Sequence, residues 1–162
     1  MATLTGYTKM FAGSTTKIDS IKMHELGTRS FDKNGNEYIY LQGVASTAAG
    51  SWVVFDEAHL TTLTTTSVVG RIAIAMAAIV ANRYGWYLIY GTHPTAKVKT
   101  AFADNGVIYM SSTAGTVDDT DVAGDLVLGA IGRSAGNQGT PATASAAVVE
   151  ISYPHVNDTA DA

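Results

Sequence analysis

The chain of 162 residues contains no cysteine, so neither a disulfide framework nor a thiolate metal centre can hold it, and the fold rests on packing alone. Charge is scarce too. Only 15% of residues are Asp, Glu, Lys or Arg, against roughly 25% in an ordinary soluble domain. The net charge is −4, the isoelectric point lies near 5.4, and the ten Lys and Arg residues form no cluster. Grip on a phosphate backbone needs such a cluster, so nucleic acid is not expected as a partner. Long apolar runs are also missing: the most apolar stretch, residues 72–81, is too short to span a bilayer. The polar first residues, interrupted by Lys9 and Lys17, lack the apolar centre of a signal peptide. The sequence therefore predicts neither a membrane partner nor classical secretion.

What is present is apolar and poorly charged. With 46% hydrophobic residues the chain can bury a substantial core, and its length suits one domain with an arm. Much of its exterior must then be Thr, Ser, Ala, Gly and Asn, or be covered by other copies and partners, which favours assembly. Between Tyr84 and Gly132, aromatic and β-branched clusters alternate with glycine: Tyr84, Trp86, Tyr87, Ile89 and Tyr90; then Val107, Ile108 and Tyr109 after Asp104-Asn105-Gly106; then Val127, Leu128 and Ile131 around Gly129. The clearest hairpin lies earlier, where Asp32-Lys33-Asn34-Gly35-Asn36 separates Phe31 from a strand over 37–41. Further strands are expected over 52–55, 60–66, 98–102, 107–110, 126–131 and 146–151. His93-Pro94 reads as a break after the strand over 84–90, and Tyr153-Pro154 as the close of the fold. Residues 72–80 fit a helix face through Ile72, Met76 and Ile79, or a strand through Ile72, Ile74 and Met76; strand neighbours favour the strand. Its small face of Ala73, Ala75 and Ala77 would then meet a closely packed neighbour. No internal repeat is evident.

The expected class is all-β, an antiparallel barrel or sandwich of β-tulip type. Residues 1–30 read as an extended N-terminal arm, with a frayed tail or a short edge strand as the alternative, 31–156 as the β domain and 157–162 as a polar tail. The arm's apolar residues, Tyr7, Phe11, Ile18 and Ile21 among them, have no sustained period and so suit docking onto a partner. Ala73, Ala75 and Tyr87 are candidate subunit contacts, because association would relieve exposed apolar surface there.

Candidate chemistry is thin. Asp119, Asp121 and Asp125 with Gly124 occupy positions 1, 3, 7 and 6 of a calcium-loop count, but Ala123 and Ala130 stand where further ligands belong, so a solvated turn is expected. His24, His59, His93 and His155 lie too far apart for a paired zinc motif. Gly132-Arg133-Ser134-Ala135-Gly136 matches a nucleophile elbow in form only, since no helix pattern follows it to raise the serine. Asn157-Asp158-Thr159 is a glycosylation sequon that matters only in a secretory pathway. No cofactor, metal or catalytic residue is expected, and the chain does not read as an enzyme.

From about residue 27 to 158 the chain resembles the capsid decoration, or cement, proteins of tailed bacteriophages. The likeness runs through Gly43-Val44-Ala45-Ser46-Thr47 to Gly50-Ser51-Trp52-Val53, Gly70 with Ile72-Ala73-Ile74-Ala75-Met76-Ala77, and Tyr84-Gly85-Trp86-Tyr87 ending at Gly91. It continues through Ala103-Asp104, Val107-Ile108-Tyr109, Ser112-Thr113-Ala114-Gly115, Ala123-Gly124-Asp125, Gly129-Ala130-Ile131-Gly132 and Ile151-Ser152-Tyr153-Pro154. The resemblance implies a β-rich, non-enzymatic virion protein on the capsid exterior. It implies a homotrimer that bridges neighbouring major capsid protein subunits, with an N-terminal arm reaching across them. The alternative is a phage tail or surface-adhesion module that binds a host glycan through Trp52, Trp86 and Tyr87 on an exposed face.

Overall fold

The computed structural model describes residues 13–136 and 145–157. Among them there is no helix, and eleven strands form one large antiparallel sheet that does not close. The strands are β1 (Ile18–Asp19), β2 (Arg29–Phe31), β3 (Glu37–Gln42), β4 (Trp52–Phe55), β5 (Thr61–Leu63), β6 (Gly70–Ala75), β7 (Tyr84–Lys97), β8 (Val107–Met110), β9 (Val117–Asp118), β10 (Leu126–Gly132) and β11 (Ala146–Val156). The main path runs β2-β3-β7-β6-β11-β10-β8-β9, with β4 joining β6 to β5.

Two long strands organise the rest. β7 pairs with β3 along one edge, while its other edge is taken in turn by β1, β6 and β11. β11 likewise pairs with β10 on one side and passes from β7 to β6 on the other. A strand that changes partners must bend, and bulges supply the bend. Pro94 and Thr95 together oppose Val148, because Ala96 pairs with Ala147 but His93 with Val149. Proline has no N–H for the ladder and is tolerated at such a bulge. His93-Pro94 therefore kinks β7 instead of ending it, as the sequence had suggested. Tyr153 and Pro154 behave the same way: three residues of β11 face Gly129, Tyr153 takes φ +48°, and the strand continues to Val156.

The hairpin between β2 and β3 forms as expected, with Phe31 opposite Glu37. Asp32 organises it by accepting hydrogen bonds from the backbone N–H of Asn34 (2.8 Å) and Asn36 (3.0 Å), the Asn36 side chain (2.8 Å) and the Tyr38 hydroxyl (2.9 Å). Gly35 supplies the positive φ of +83° that the turn demands.

Alternation along β3, β4, β6 and β7 divides their side chains between two apolar clusters. Tyr38, Tyr40, Trp52, Ile72, Ile74, Trp86 and Leu88 belong to the first. Ile39, Leu41, Val53, Phe55, Ala73, Ala75, Tyr87 and Ile89 belong to the second. Because both faces of these strands are buried, they read in sequence as unbroken apolar runs. Residues 72–80 are a strand only as far as Ala75; the turn beyond carries Ala77 and Ile79 back onto the second cluster. The strand expected over 60–66 shortens to β5, and 98–102 is not a strand, although Val98 forms an isolated bridge with Val117 and Phe102 is buried.

Candidate functional site

Of the forms expected for the first thirty residues, the described part takes that of a short strand, β1, paired to the sheet. Ile18 pairs with Gly85 and Asp19 with Tyr84. The missing side chain at Gly85 permits this approach, since a Cβ there would lie 2.6 Å from Ile79 Cδ1 and 3.3 Å from the Lys17 carbonyl. The buried Asp19 carboxylate accepts the Tyr40 hydroxyl at 2.7 Å and is ion-paired with Lys17 at 3.0 Å. Burial acts to raise its pKa, but the hydrogen bonds from Tyr40 and Lys17 outweigh burial and hold it below the usual carboxylate range. Tyr40 in turn is pushed up to about 12 by desolvation and by Asp19. His24 packs edge-on against Tyr40 with ring centres 5.0 Å apart and tilts against Trp86 at 5.3 Å. Leu26 packs on the first cluster, and Gly27 N–H donates to the Tyr40 carbonyl at 2.8 Å. Since β2 begins at Arg29, the β domain reaches two residues into the stretch assigned to the arm.

This docking leaves apolar side chains facing outward. Ile18 is 42% exposed, Ile21 74% and Met23 59%, and none of them belongs to either cluster. Two of the four expected arm residues, Ile18 and Ile21, are thus brought to one solvent-facing stretch; Tyr7 and Phe11 lie outside the described residues.

Ala73, Ala75 and Tyr87 are not surface residues. All three are fully buried within the single chain. Ala75 stands directly opposite Tyr87 in the β6–β7 ladder and Ala73 opposite Val53 in the β4–β6 ladder. The close neighbour of the small-residue face is therefore the chain's own Tyr87 ring, and association relieves no exposure there. Trp52 is also fully buried, its indole N–H donating to the Lys97 carbonyl at 3.0 Å, and Trp86 is only 6% exposed. Trp52, Trp86 and Tyr87 therefore offer no exposed platform for a sugar ring, contrary to what the adhesion alternative requires.

The acidic loop is spent on structure. Asp125 is buried and accepts Ser67 N–H at 2.7 Å, and Asp119 accepts Ala103 N–H at 2.9 Å. Among the described residues no three His, Asp or Glu side chains lie together as a metal would require. Ser134 Oγ accepts Val148 N–H at 2.9 Å and donates to the Ala135 carbonyl at 3.2 Å, so it ties β10 to β11, with no histidine among these partners. Of the sequon only Asn157 lies within the described residues.

Sequence reading missed one constellation, at the open end of the second cluster. Here Phe55, Arg71 and His155 meet across β4, β6 and β11, since Arg71 is opposite both Phe55 and His155. The Arg71 guanidinium sits over the Phe55 ring, 4.7 Å from its centre. Beside it the buried Glu37 joins Arg29 at 3.1 Å and accepts the Tyr153 hydroxyl at 2.5 Å; that hydrogen bond, with some desolvation, pushes the Tyr153 pKa upward. The residues are dispersed over 29–155, so no local spacing announces them. Compared with family models, curated proteins and solved structures, the chain finds no match.

Proposed function

We propose that the chain is a structural virion protein that binds the outer surface of an assembled phage capsid and stabilises it, without catalysis, by bridging neighbouring major capsid subunits as a homotrimer. The observation that carries this reading is the outward apolar stretch Ile18, Ile21 and Met23 on a segment fixed to the sheet. Both clusters of the fold are filled without these side chains, and covering the part of each that is still exposed would be favourable by about 1–2 kcal/mol, least for Ile18. A pre-docked segment also loses little conformational entropy on binding. Three modest contacts linked in one trimer hold far more tightly than one, and a protein that binds only the assembled lattice stabilises it in proportion to occupancy. Because Ala73, Ala75 and Tyr87 are internal, the trimer contact must use other surface.

The test is the temperature at which purified shells open, with and without the added protein. The reading expects a higher opening temperature that saturates with occupancy. It also expects the pair Ile21→Asp and Met23→Asp to lose the protection while remaining folded. Equal heat resistance with and without bound protein would refute the cementing role.

A further inference from the structure

The geometry points to the recess beneath Arg71 as a binding site for a carboxylate carried on a short apolar stem. The recess is a cavity of about 140 Å³, well below the several hundred Å³ that hold a drug-sized ligand, and it suits one short side chain or its equivalent. Its inner wall is apolar: Phe55, Ile89 and Pro154 are all buried. Its remaining lining is Arg29, Arg71, Tyr153 and His155, with no acidic side chain among the residues that line it. Glu37 engages Arg29, but Arg71 forms no ion pair among the described residues and stays exposed. One guanidinium therefore remains unspent beside an apolar hole, on a protein of net charge −4.

That arrangement is complementary to an anion in both position and shape. A guanidinium presents a planar fork of donors that matches a carboxylate, and Arg71 is already held over Phe55, so little side-chain freedom is lost when the fork is used. The second wall is fixed as well. Tyr153 sits at φ +48° on the bulge opposite Gly129, is held by Glu37 through its hydroxyl, and packs on Tyr90 with ring centres 5.5 Å apart. A non-glycine residue in this backbone region costs of order 1 kcal/mol or more, and such strain gathers where a side chain must be aimed. The broader neighbouring groove shares Phe55 and Arg71 and carries Asp56 and Glu57, but neither carboxylate forms an ion pair with Arg71 among the described residues. The inference is independent of the cementing role, since it concerns the chemistry of the recess alone.

The test titrates the full-length, isotope-labelled protein with butyrate and with butyramide, a neutral molecule of nearly the same shape, by NMR. Butyrate is expected to shift the signals of Arg71, Phe55 and Tyr153 saturably, and butyramide to leave them in place. Arg71→Gln should weaken butyrate at least about tenfold, and Arg71→Lys should recover part of the loss. If Arg71→Gln fails to fold, wild-type binding at rising salt serves instead, since an ionic contact weakens with screening and an apolar one does not. Equal shifts by both molecules, no shift by either, or binding indifferent to both Arg71→Gln and salt would overturn the proposal. A capped Ala-Glu-Ala peptide distinguishes the source. Tighter binding than butyrate assigns the recess to a partner protein's side chain, the reverse assigns it to a free acid, and both uphold the carboxylate site.

Discussion

The two faces of the central strands are built from the same four segments, yet they end differently. On the first face Trp52, Tyr40 and Trp86 are large, and their outer edge is sealed by Leu26, His24 and the Asp19 carboxylate. The polar atoms that this packing buries are partnered, as with the Trp52 indole on Lys97. On the second face Ala73 and Ala75 make room for Tyr87, whose hydroxyl is buried without a hydrogen bond; the neighbouring Thr61 hydroxyl donates instead to the Gln42 carbonyl at 2.7 Å. That face is left open at Phe55 and Ile89 under Arg71. The difference suggests a division that can be tested: removing bulk from the sealed face should cost the most stability, whereas the open face carries the recess proposed as a carboxylate site.

The sharpest way to break the comparison is to remove bulk from the sealed face. Trp52→Ala empties the fully buried centre of the sealed face and should cost about 3–5 kcal/mol, read as a lower denaturant midpoint. Next in size is acid. His93 is buried in β7; its Nδ1 accepts Thr95 N–H at 3.2 Å, and its Nε2 is buried without a hydrogen-bond partner. Burial pushes its pKa down to about 4 from an ordinary 6.5. Between those values the unfolded chain binds the extra proton and the folded chain does not. Stability is therefore full above pH ~6.5 and falls as the pH drops to ~4, by roughly 3 kcal/mol at most. Denaturant melts at several pH values should show that slope in the wild type and a shallower one in His93→Gln.

Smaller effects concern the seal. Tyr40→Phe removes the hydroxyl that Asp19 accepts at 2.7 Å and should cost about 1–3 kcal/mol. Hydrogen exchange should report faster opening of β1 than of β3; uniform destabilisation of the sheet would instead place Asp19 in the cooperative core. Smallest is Arg71→Ala on the open face. It loses one exposed cation–π contact with Phe55 and should change stability by about 1 kcal/mol or less, even where it abolishes carboxylate binding.

The two-sided burial also explains what was readable in the chain. β4 over 52–55, β8 over 107–110 and the Asn34-Gly35 hairpin follow from local turn chemistry and β-branched runs, and all three are found at the expected positions. The division of Trp86 and Leu88 from Tyr87 and Ile89 is invisible, because a strand buried on both sides shows no polar alternation. Pro94 and Pro154 read as stops, since a bulge that accommodates proline depends on the partner strand. Ile18 and Ile21 fit no period in the sequence and stand partly exposed in the fold, whereas Ala73, Ala75 and Tyr87 were misplaced for want of the β6–β7 register. The Arg71 recess joins β2, β4, β6, β7 and β11, and only the fold brings those strands together.

The central claim, attachment to an assembled shell, is tested most directly by sedimenting the purified protein with intact capsids and, separately, mixing it with unassembled capsid subunits. The account predicts that the protein pellets with intact capsids to saturation, that it leaves unassembled subunits unbound, and that the Ile21→Asp and Met23→Asp pair stays in the supernatant. Equal binding to assembled and unassembled subunits, or no binding to the intact shell, would contradict it.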